Sequence, residues 1–482
     1  MTSKPSLWMA LLDGAQPGLG VRERLCAALR EAMRVRSLAP GLRLPSTRVL
    51  AQDLGLSRVT VEAAYAQLEA EGYLRRRVGH GSFVALPSTA VTAPPRHRRP
   101  SPATQARLSQ RGRALLHTGG CHEPRPAQAF AAGSPDLRAF PHALWRQLAQ
   151  RRWRLQAEAL MGYGDPQGHE DLRVAIAQYL ATSRGVRCSA AQVLVLTSSQ
   201  QALQLLATLL LDPGDRVWLE DPGYRGARTA LAAAGAELLP MAVDAEGLVP
   251  DFSGPVPRLI YLTPTHQYPT GHTLSLQRRL ALVDYARQTG CWIIEDDYDS
   301  EFLYDQRPTP SLQGLDDAGR VLYVGTFSKT LFPSLRIAYL VLPDALVPPL
   351  VTARTVYDGH VAQWAQAVTA DFLAQGHYAA HLRLMRQLYR GRRDLLLVGI
   401  QRHLPWARVL HSAGGLQLSV ALPPGSEATL TRQAQALGVI TPGLGALYAG
   451  PDRVDGWLLG FAALQPAEIE QALLALARLT PP

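Results

Sequence analysis

The alternation of apolar and polar positions predicts two regions of different architecture. In residues 20–86, apolar residues such as Leu25, Leu29 and Met33 recur at helical spacing, and the pattern predicts three helices. The helices are followed by "YLRRRVGHGSFVA", which predicts a strand, a glycine-containing turn and a second strand. We therefore expect a small helical domain that ends in a β-hairpin.

The longer region, from residue 126 to the end, alternates short apolar runs with helical stretches. The runs are rich in Val, Ile, Leu and aromatic residues, and they are "QVLVLTS", "DRVWLED", "RLIYLTPT", "CWIIEDD", "RVLYVGTFSK" and "IAYLVLP". Strands that alternate with helices are typical of a mostly parallel sheet that is covered on both faces. The predicted fold class is therefore α/β, with the small helical domain N-terminal to the α/β region.

The segment between the two regions is rich in Pro, Ser, Thr and Arg and has almost no apolar periodicity. Such a composition predicts a flexible, basic linker. We place the small N-terminal module at 18–86, the linker at 87–125 and the large domain at 126–482.

Positive charge is concentrated in the first quarter of the chain. The net charge is +5 over residues 1–85, +6 over 86–125 and −1 over 126–482. This asymmetry indicates a basic N-terminal module that faces a polyanion. The arginines of the linker allow two interpretations, a solvated tether or an additional contact with the polyanion.

The composition disfavours several other classes of protein. No apolar run reaches the roughly 18 residues that a membrane span needs, and the N-terminus lacks a convincing signal peptide. The four cysteines, Cys26, Cys121, Cys188 and Cys291, show no metal-ligand spacing. We therefore expect free thiols, no metal site, no membrane contact and a cytoplasmic location.

Two short helices joined by a tight turn are predicted within "STRVLAQDLGLSRVTVEAAYAQLEAEG". Ser46 and Ser57 precede them as expected N-caps, and Gly55 ends the first. This arrangement is typical of a helix-turn-helix whose second helix enters the major groove by its N-terminal end, where Arg58 and Thr60 lie. A plain helical bundle is the alternative, but the hairpin, as a wing, and the positive charge favour DNA binding.

The stretch "LAPGLRLPSTRVLAQDLGLSRVTVEAAYAQLEAEGYLRRRVGHGSFV" resembles the winged helix of GntR-type bacterial regulators over nearly all of 20–84. The resemblance implies double-stranded DNA as a partner. It also implies contacts with DNA from the helices and the wing, through Ser46, Arg48, Ser57, Arg58, Thr60, His80 and Gly81.

Lysine is almost absent from the chain, since Lys4 and Lys329 are the only lysines among 49 basic residues. Lysine, unlike arginine, can lose its proton and act as an amine. Lys329 follows a predicted strand, and open α/β sheets bind ligands at strand ends. Its position is explained either by chance or by amine chemistry, and composition alone leaves both interpretations open.

Acidic and aromatic residues end another predicted strand, where Asp296, Asp297 and Tyr298 follow "CWIIE". A solvated loop is one interpretation of this segment. Together with Lys329, however, the set suits pyridoxal phosphate: the amine forms a Schiff base with the aldehyde, and a carboxylate keeps the ring nitrogen protonated. A tyrosine hydroxyl can bond the ring oxygen.

The phosphate of such a cofactor needs hydrogen-bond donors, which the start of a helix supplies through backbone N–H groups. The stretch "LTSSQQALQLLATLLL" places Ser198, Ser199 and Gln200 at such a start. Thr326 and Ser328 flank the lysine. Each of these features alone is more often an ordinary helix cap or turn.

The segments "GYGDPQGHEDLRVAIAQYL", "EDPGY", "TPTHQYPTG", "EDDYDSEF" and "GTFSKTLFPSLR" resemble, in order, motifs of the fold-type I aminotransferases. The resemblance implies pyridoxal phosphate as cofactor, with Lys329 as the Schiff-base lysine and Asp296 on the pyridine nitrogen. Tyr298 would take the ring oxygen and Tyr224 would stack on the ring. The phosphate would be held by Ser198, Ser199, Gln200, Thr326, Ser328 and Arg336.

Two positions differ from the aminotransferase pattern. His266 and Gln267 lie near the place of an asparagine that bonds the ring oxygen; His266 is a candidate, and which of the two substitutes stays open. Those enzymes also often carry a late Arg-Leu-x-Phe, whose arginine pairs bidentately with the substrate carboxylate. Here the stretch is "DGWLLGFAAL", the matching residue is Leu458, and Arg453 lies nearby on a predicted loop.

A winged helix ahead of an aminotransferase-like body resembles the MocR branch of the GntR regulators, over about 20–86 and 126–470. The resemblance implies a transcriptional regulator that holds pyridoxal phosphate, senses a small ligand and forms a head-to-tail homodimer. Pyridoxal phosphate itself is one hypothesis for the signal. Two alternatives stay open, an active aminotransferase with an accessory DNA-binding domain and a regulator whose large domain has lost the cofactor.

Overall fold

The chain folds into two compact units, residues 1–107 and 108–482, in the computed structural model. The structure describes residues 8, 20–77, 79–85, 108–117, 120, 130–305 and 309–481. Within these residues, none of the helices is both long and apolar enough to cross a membrane.

The first unit has the helices and the hairpin that the sequence predicted. Its elements are α1 (Val21–Arg34), α2 (Thr47–Leu54), α3 (Arg58–Ala70), β1 (Leu74–Arg77) and β2 (Gly81–Val84). The apolar faces of the three helices meet in one core, in which Leu29, Leu50 and Tyr65 are fully buried. Burial of these faces stabilises helices that would be marginal alone.

Side-chain caps define the helix-turn-helix. The Ser46 hydroxyl accepts a hydrogen bond from the Val49 N–H, and the Ser57 hydroxyl accepts one from the Thr60 N–H. Each such cap stabilises a helix by about 1 kcal/mol. Gly55 ends α2 with a φ of 64°, a conformation that glycine adopts without steric cost.

The segment ahead of α2 pairs with the hairpin, which the sequence analysis did not predict. The Leu44 N–H donates to the Ser82 carbonyl, and the Val84 N–H donates to the Leu42 carbonyl. Arg43 therefore lies opposite Phe83. The sequence showed only a Pro/Gly break here, because pairing with a strand 40 residues away leaves no local periodicity.

Helices and strands alternate along most of the second unit, as predicted. Its helices are α4 (Gln110–His117), α5 (His142–Met161), α6 (Glu170–Ser183), α7 (Ser199–Leu210), α8 (Arg225–Ala233), α9 (Leu276–Thr289), α10 (Leu312–Leu315), α11 (Val347–Tyr357), α12 (Gln363–Ala374), α13 (His377–His403), α14 (Glu427–Ala436) and α15 (Pro466–Leu476). Its strands are β3 (Val193–Leu196), β4 (Arg216–Asp221), β5 (Glu237–Asp244), β6 (Gly247–Leu248), β7 (Leu259–Leu262), β8 (Trp292–Asp297), β9 (Val321–Thr326), β10 (Ala338–Val341), β11 (Arg408–His411), β12 (Gln417–Ala421) and β13 (Gly456–Gly460).

The large sheet of the described residues has eight strands in the order β3-β10-β9-β8-β7-β4-β5-β6. The pairs from β9 through β8, β7 and β4 to β5 are parallel, whereas β10 is antiparallel to both β3 and β9. The prediction of a mostly parallel sheet is therefore confirmed. All six predicted strands are present, and β5 and β6 add an edge that the apolar runs did not reveal.

Successive residues of each strand point to opposite faces of the sheet. In β3, Val193 and Val195 join one core cluster, while Leu194 and Leu196 join another. Helices pack on both faces, so the strands are continuous apolar runs with no polar alternation.

The last part of the chain forms a second, antiparallel sheet in the order β11-β12-β13. "DGWLLGFAAL" supplies β13, in agreement with the late strand expected there. A β-bulge between Val409 and His411 shifts the register of β11.

The predicted linker, 87–125, needs one correction. Residues 110–117 form helix α4 rather than extended chain, and the Arg111 guanidinium donates a 3.0 Å hydrogen bond to the Ala233 carbonyl at the end of α8. This part of the linker therefore belongs to the second unit. The contact is long-range, which explains why composition predicted flexibility. Residues 86–107 lie outside the described residues.

Candidate functional site

The candidate cofactor residues lie at one edge of the large sheet. The carboxyl ends of the parallel strands meet at this edge, and so does the end of β3, because two antiparallel pairings restore its direction. Residues that are far apart in sequence, Ser198, Tyr224, His266, Asp296 and Lys329, follow or end these strands. The strand-end position that the sequence predicted for the site is the one ligands occupy in open α/β sheets.

Lys329 lies three residues beyond the end of β9. Its Nζ donates a 2.7 Å hydrogen bond to the Gly133 carbonyl. Enclosure of the side chain lowers the pKa of the ammonium, while the carboxylates of Asp299 and Asp296 act in the opposite direction. A lowered pKa increases the fraction of neutral amine, the form that attacks a carbonyl carbon.

Asp296 and Asp297 point to opposite faces of β8 and have different partners. Asp297 binds the Arg184 guanidinium at 2.8 Å and the Tyr323 hydroxyl. Asp296 accepts a 2.8 Å hydrogen bond from the Tyr261 hydroxyl through Oδ2, and its Oδ1 is buried without a hydrogen-bond partner among the described residues. Of these two carboxylates, Asp296 is therefore the one with a fully buried oxygen that lacks a partner among the described residues.

Burial raises the pKa of Asp296 from its ordinary value of 3.8 to about 7. Between these two values the folded chain holds a proton that the unfolded chain has lost, so the stability of the cofactor-free protein falls as the pH rises.

We expect Asp296→Asn to remove the contribution of this carboxyl group to the fall in unfolding free energy, which is up to about 1.4 kcal/mol per pH unit. Denaturant unfolding of cofactor-free protein at pH 5 and pH 7 measures it. The exposed Glu470→Gln is the control, and equal slopes for Asp296→Asn and the unaltered chain would contradict the expectation.

The structure distinguishes His266 from Gln267. The His266 Nδ1 lies 3.1 Å from the Tyr298 hydroxyl and 2.9 Å from Asp299 Oδ1. Burial disfavours the imidazolium, but the Asp299 carboxylate outweighs it and raises the pKa of His266. Gln267 instead uses its amide on the Pro222 carbonyl and on its own loop. His266 is thus the residue beside Tyr298.

Three tyrosines surround the same region. Tyr268 lies edge-on to Tyr224, with ring centroids 5.8 Å apart, and edge-on to Tyr298, with centroids 6.0 Å apart. Tyr224 is the N-cap residue of α8. The sequence analysis missed Tyr268, although it stands directly before the Pro-Thr-Gly of the quoted motif.

The candidate phosphate residues lie at the N-terminus of α7 and around Lys329. Ser198 caps α7 by accepting from the Gln201 N–H, and the N–H groups of Ser199 and Gln200 have no partner within the helix. The Gln200 Nε2 donates to the Gly226 carbonyl, and its Oε1 is buried without a partner among the described residues. Such a helix terminus favours an anion.

Three further residues of this group lie between β9 and β10. The Thr326 hydroxyl donates to the Ser328 hydroxyl at 3.1 Å and accepts from the Ser328 N–H. Arg336 is exposed and adopts a φ of 55° just before β10, at the same sheet edge. The fork of its guanidinium suits a phosphate.

Gly133 is a site residue that the sequence analysis did not identify. It has a φ of 78°, and a Cβ there would lie 2.8 Å from the Lys329 Nζ. Because glycine has no side chain, the Lys329 amine occupies space that a side chain at position 133 would fill. A glycine in "FAAGSPDL" was the only available signal.

We expect Gly133→Ala to reduce the fraction of protein that holds a cofactor on Lys329, because the new methyl group displaces Nζ. Absorbance of the lysine-bound cofactor at saturation measures this fraction. Gly359→Ala is the matched control, since Gly359 has a φ of 77° but open space around it. Both variants place alanine at a similar positive φ, which costs roughly 1–2 kcal/mol. An equal loss in both would contradict the expected contact.

Leu458 lies in β13 opposite Ser419 and is only 2% exposed. Arg453 is exposed on the loop before β13, as predicted. The described residues show no group of three His, Cys, Asp or Glu side chains that could hold a metal ion, and Cys26, Cys188 and Cys291 are free thiols. Cys121 lies outside the described residues.

In the first unit, the candidate DNA-contacting residues lie on the surface. Arg48 and Arg58 are exposed in the first turns of α2 and α3, and neither makes an ion pair with a described residue. The capping residues Ser46 and Ser57 directly precede these two helices, the Thr60 hydroxyl bonds the Ser57 hydroxyl at 2.7 Å, and His80 and Gly81 are exposed at the hairpin tip. The side chain of Arg43 also reaches this tip, since its Nε is 3.0 Å from a Cβ built on Gly81.

Two family matches cover these two units. Residues 21–84 match the family described as "Bacterial regulatory proteins, gntR family", and residues 130–476 match "Aminotransferase class I and II". The chain is also 39% identical to the "Probable rhizopine catabolism regulatory protein MocR" of Rhizobium meliloti, over 95% of this chain and 93% of that protein. The chain belongs to the MocR-type transcriptional regulators of the GntR family.

Other similar proteins agree with this membership. The "HTH-type transcriptional regulator TauR" of Rhodobacter capsulatus is 34% identical over 97% of this chain and 98% of that protein. Among solved structures, LysN, the α-aminoadipate aminotransferase of Thermus thermophilus, is 29% identical with a TM-score of 0.68. It covers 77% of this chain and 94% of its own, and it was solved with N-(5'-phosphopyridoxyl)-L-leucine. The fold of the second unit is that of the aminotransferases.

Proposed function

We propose that this regulator binds pyridoxal phosphate through Lys329 and binds double-stranded DNA through its first unit. The main support is that a half-buried amine at the sheet edge lies within the electrostatic influence of an aspartate whose buried Oδ1 has no partner among the described residues. This donor set fits the cofactor: a pyridinium N–H supplies the partner that Asp296 Oδ1 lacks, and the aldehyde reacts with the amine. The likeness to LysN, which was solved with a phosphopyridoxyl ligand, supports the same cofactor.

Each residue of the site would have its own role in binding the cofactor. The cofactor supplies an aldehyde and an electron-withdrawing ring. Lys329 binds it covalently, and Asp296 keeps its ring nitrogen protonated. Tyr298 donates to the ring oxygen while Asp299 orients the neighbouring His266. The stacking group is Tyr224, and the phosphate is held by Ser198, Ser199, Gln200, Thr326, Ser328 and Arg336.

We propose that a small ligand at this site changes the affinity for DNA, with the cofactor itself as one candidate signal. The test is to titrate cofactor-free protein with pyridoxal phosphate and measure binding to the DNA upstream of its own gene. A change in affinity that follows occupancy of Lys329 supports the cofactor as signal. An affinity that is unchanged by the cofactor, but shifts when an amine is added to the loaded protein, assigns the signal to the amine. No response to either would overturn ligand sensing. With DNA as partner, we place the protein in the cytoplasm.

A homodimer, in the head-to-tail arrangement that the resemblance implies, is the proposed assembly. Large apolar and aromatic side chains are exposed near the end of α5 and near the end of α11: Met161 is 68% exposed, Tyr163 99% and Val356 79%. The two segments are adjacent, because the Tyr163 and His360 rings are 5.7 Å apart. Apolar patches of this kind mark protein interfaces. Light scattering with Tyr163→Ser and Val356→Ser tests the assembly, and a monomer in the unaltered chain would overturn it.

The alternative function is an active aminotransferase with an accessory DNA-binding domain. The same lysine and aspartate would serve that reaction. Leu458, buried where a carboxylate-binding arginine would stand, disfavours it, because leucine cannot offset the desolvation of a carboxylate. Steady turnover of an amino acid with pyruvate or 2-oxoglutarate by the purified chain would favour the enzyme.

A further inference from the structure

One face of the small sheet is turned toward Lys329. His411 and Leu458 lie directly across from Ser419, and Gln417 precedes Ser419 by two residues, so the four side chains share a face. The Ser419 hydroxyl donates to the Pro269 carbonyl, next to Tyr268. The Gln417 Oε1 is 3.7 Å from a Cβ built on Gly133, the same point from which the Lys329 Nζ is 2.8 Å away.

The side-chain amide of Gln417 has no hydrogen-bond partner among the described residues. Gln417 is 7% exposed, its backbone pairs with Gly460, and its amide atoms, unlike Asp296 Oδ1, are not fully enclosed. The other buried glutamines of the described chain, Gln267, Gln363 and Gln366, all donate to backbone carbonyls. An amide at the wall of a site, with unused donors and acceptors, is available to hydrogen-bond a bound molecule.

This face also lacks a positive charge. Burial, reinforced by His272 and His266, lowers the pKa of His411 to about 4, so its imidazole is neutral, and the buried Nε2 has no partner among the described residues. Leu458 is apolar. Burial lowers the pKa of Lys329, and the carboxylates of Asp296 and Asp299, on the side of the large sheet, act to raise it. A carboxylate brought to this face would lose its hydration, and the neighbouring His266, whose pKa is raised, is already paired with Asp299.

We propose that Gln417 binds the uncharged polar end of an effector that is a primary amine without a carboxylate, such as an amino alcohol or an amino amide. This inference rests on the proposed cofactor at Lys329 and specifies the class of ligand sensed there. The effector nitrogen forms the bond to the aldehyde carbon of the cofactor, and the bond to Lys329 breaks. Lys329 leaves as a free amine, so the exchange needs no oxidant or reductant. The amide of Gln417 then exchanges hydrogen bonds with the hydroxyl or amide of the effector.

Titration of the cofactor-loaded full chain with alaninol, alaninamide, alanine and isopropylamine tests the proposal. The absorbance of the lysine-bound cofactor and the thermal unfolding of the protein are the two readouts. Isopropylamine has the same branched amine but no polar end, so it corrects for the intrinsic reactivity of the amine. We expect alaninol and alaninamide to bind about tenfold or more tightly than isopropylamine and alanine, as one or two new hydrogen bonds predict.

Variants at Gln417 isolate its contribution. Gln417→Ala should weaken alaninol about tenfold, leave isopropylamine unchanged and leave the absorbance without added amine unchanged. Gln417→Arg, and Leu458→Arg if it folds, adds a guanidinium to the same face and should raise the affinity for alanine.

The outcomes separate this inference from the proposed function. A normal cofactor absorbance with tighter binding of alanine than of alaninol would overturn the inference alone. Equal weakening of alaninol and isopropylamine by Gln417→Ala would also overturn it, because Gln417 would then support only the fold of the site. If the unaltered chain forms no lysine-bound absorbance, the proposed function fails and the inference fails with it.

Discussion

Replacing Lys329 by alanine is expected to abolish the covalent binding of pyridoxal phosphate that we propose for this lysine. The only other lysine of the chain is Lys4, so no second amine on a side chain at the site can substitute. The fold should persist, because Nζ makes a single hydrogen bond to the Gly133 carbonyl, worth about 0.5–1.5 kcal/mol. Absorbance after incubation with pyridoxal phosphate, and mass spectrometry after borohydride reduction, measure the effect.

The matched control for this experiment is Lys4→Ala, which should retain full absorbance and the reduced adduct. Circular dichroism and thermal unfolding report whether Lys329→Ala is folded. An adduct of unchanged yield in folded Lys329→Ala would refute the assignment of the lysine. Residual cofactor that dissociates on dialysis would be consistent with it, because the proposed phosphate and ring contacts would remain.

Replacing Arg48 and Arg58 by alanine should lower the affinity for DNA by about tenfold each. Both arginines are exposed at the first turns of α2 and α3 and have no ion pair among the described residues, so they are available for phosphates or base edges. For a phosphate contact, the slope of log affinity against log salt should fall by about one. Binding isotherms at several salt concentrations, with DNA from upstream of the gene, measure both quantities.

Arg22→Ala is the control for charge alone. Arg22 is exposed on α1, outside the helix-turn-helix that α2 and α3 form. Arg22→Ala should change the affinity and the salt slope less than Arg48→Ala or Arg58→Ala. Removal of residues 1–86 should abolish binding. If the shortened chain still binds the same DNA with similar affinity, the first unit is not the DNA-binding module.

The sequence predicted the elements whose signals are local. In the first unit, the helical spacing of Leu25, Leu29 and Met33 and the caps Ser46 and Ser57 suffice, because neighbours within one helix produce them. In the second unit, every quoted apolar run is a strand, since a strand covered on both faces is a continuous apolar run. Signals were absent where pairing partners are distant, as for the segment around Arg43, for β5 and for helix α4.

The candidate site shows the same division. The sequence alone determined two features of the site: a single internal lysine follows one strand, and Asp-Asp-Tyr stands at the end of another. Residue type and strand ends are local properties, so no tertiary information is needed for them. Tertiary structure alone decided that Asp297 pairs with Arg184 while Asp296 keeps a buried oxygen without a partner, because the partners Arg184 and Tyr261 come from other segments. It likewise placed His266 beside Tyr298, Gly133 beneath the lysine amine, and the unpartnered amide of Gln417 on a sheet that begins about 80 residues later. Such contacts depend on the order and facing of strands, which periodicity along the chain does not encode.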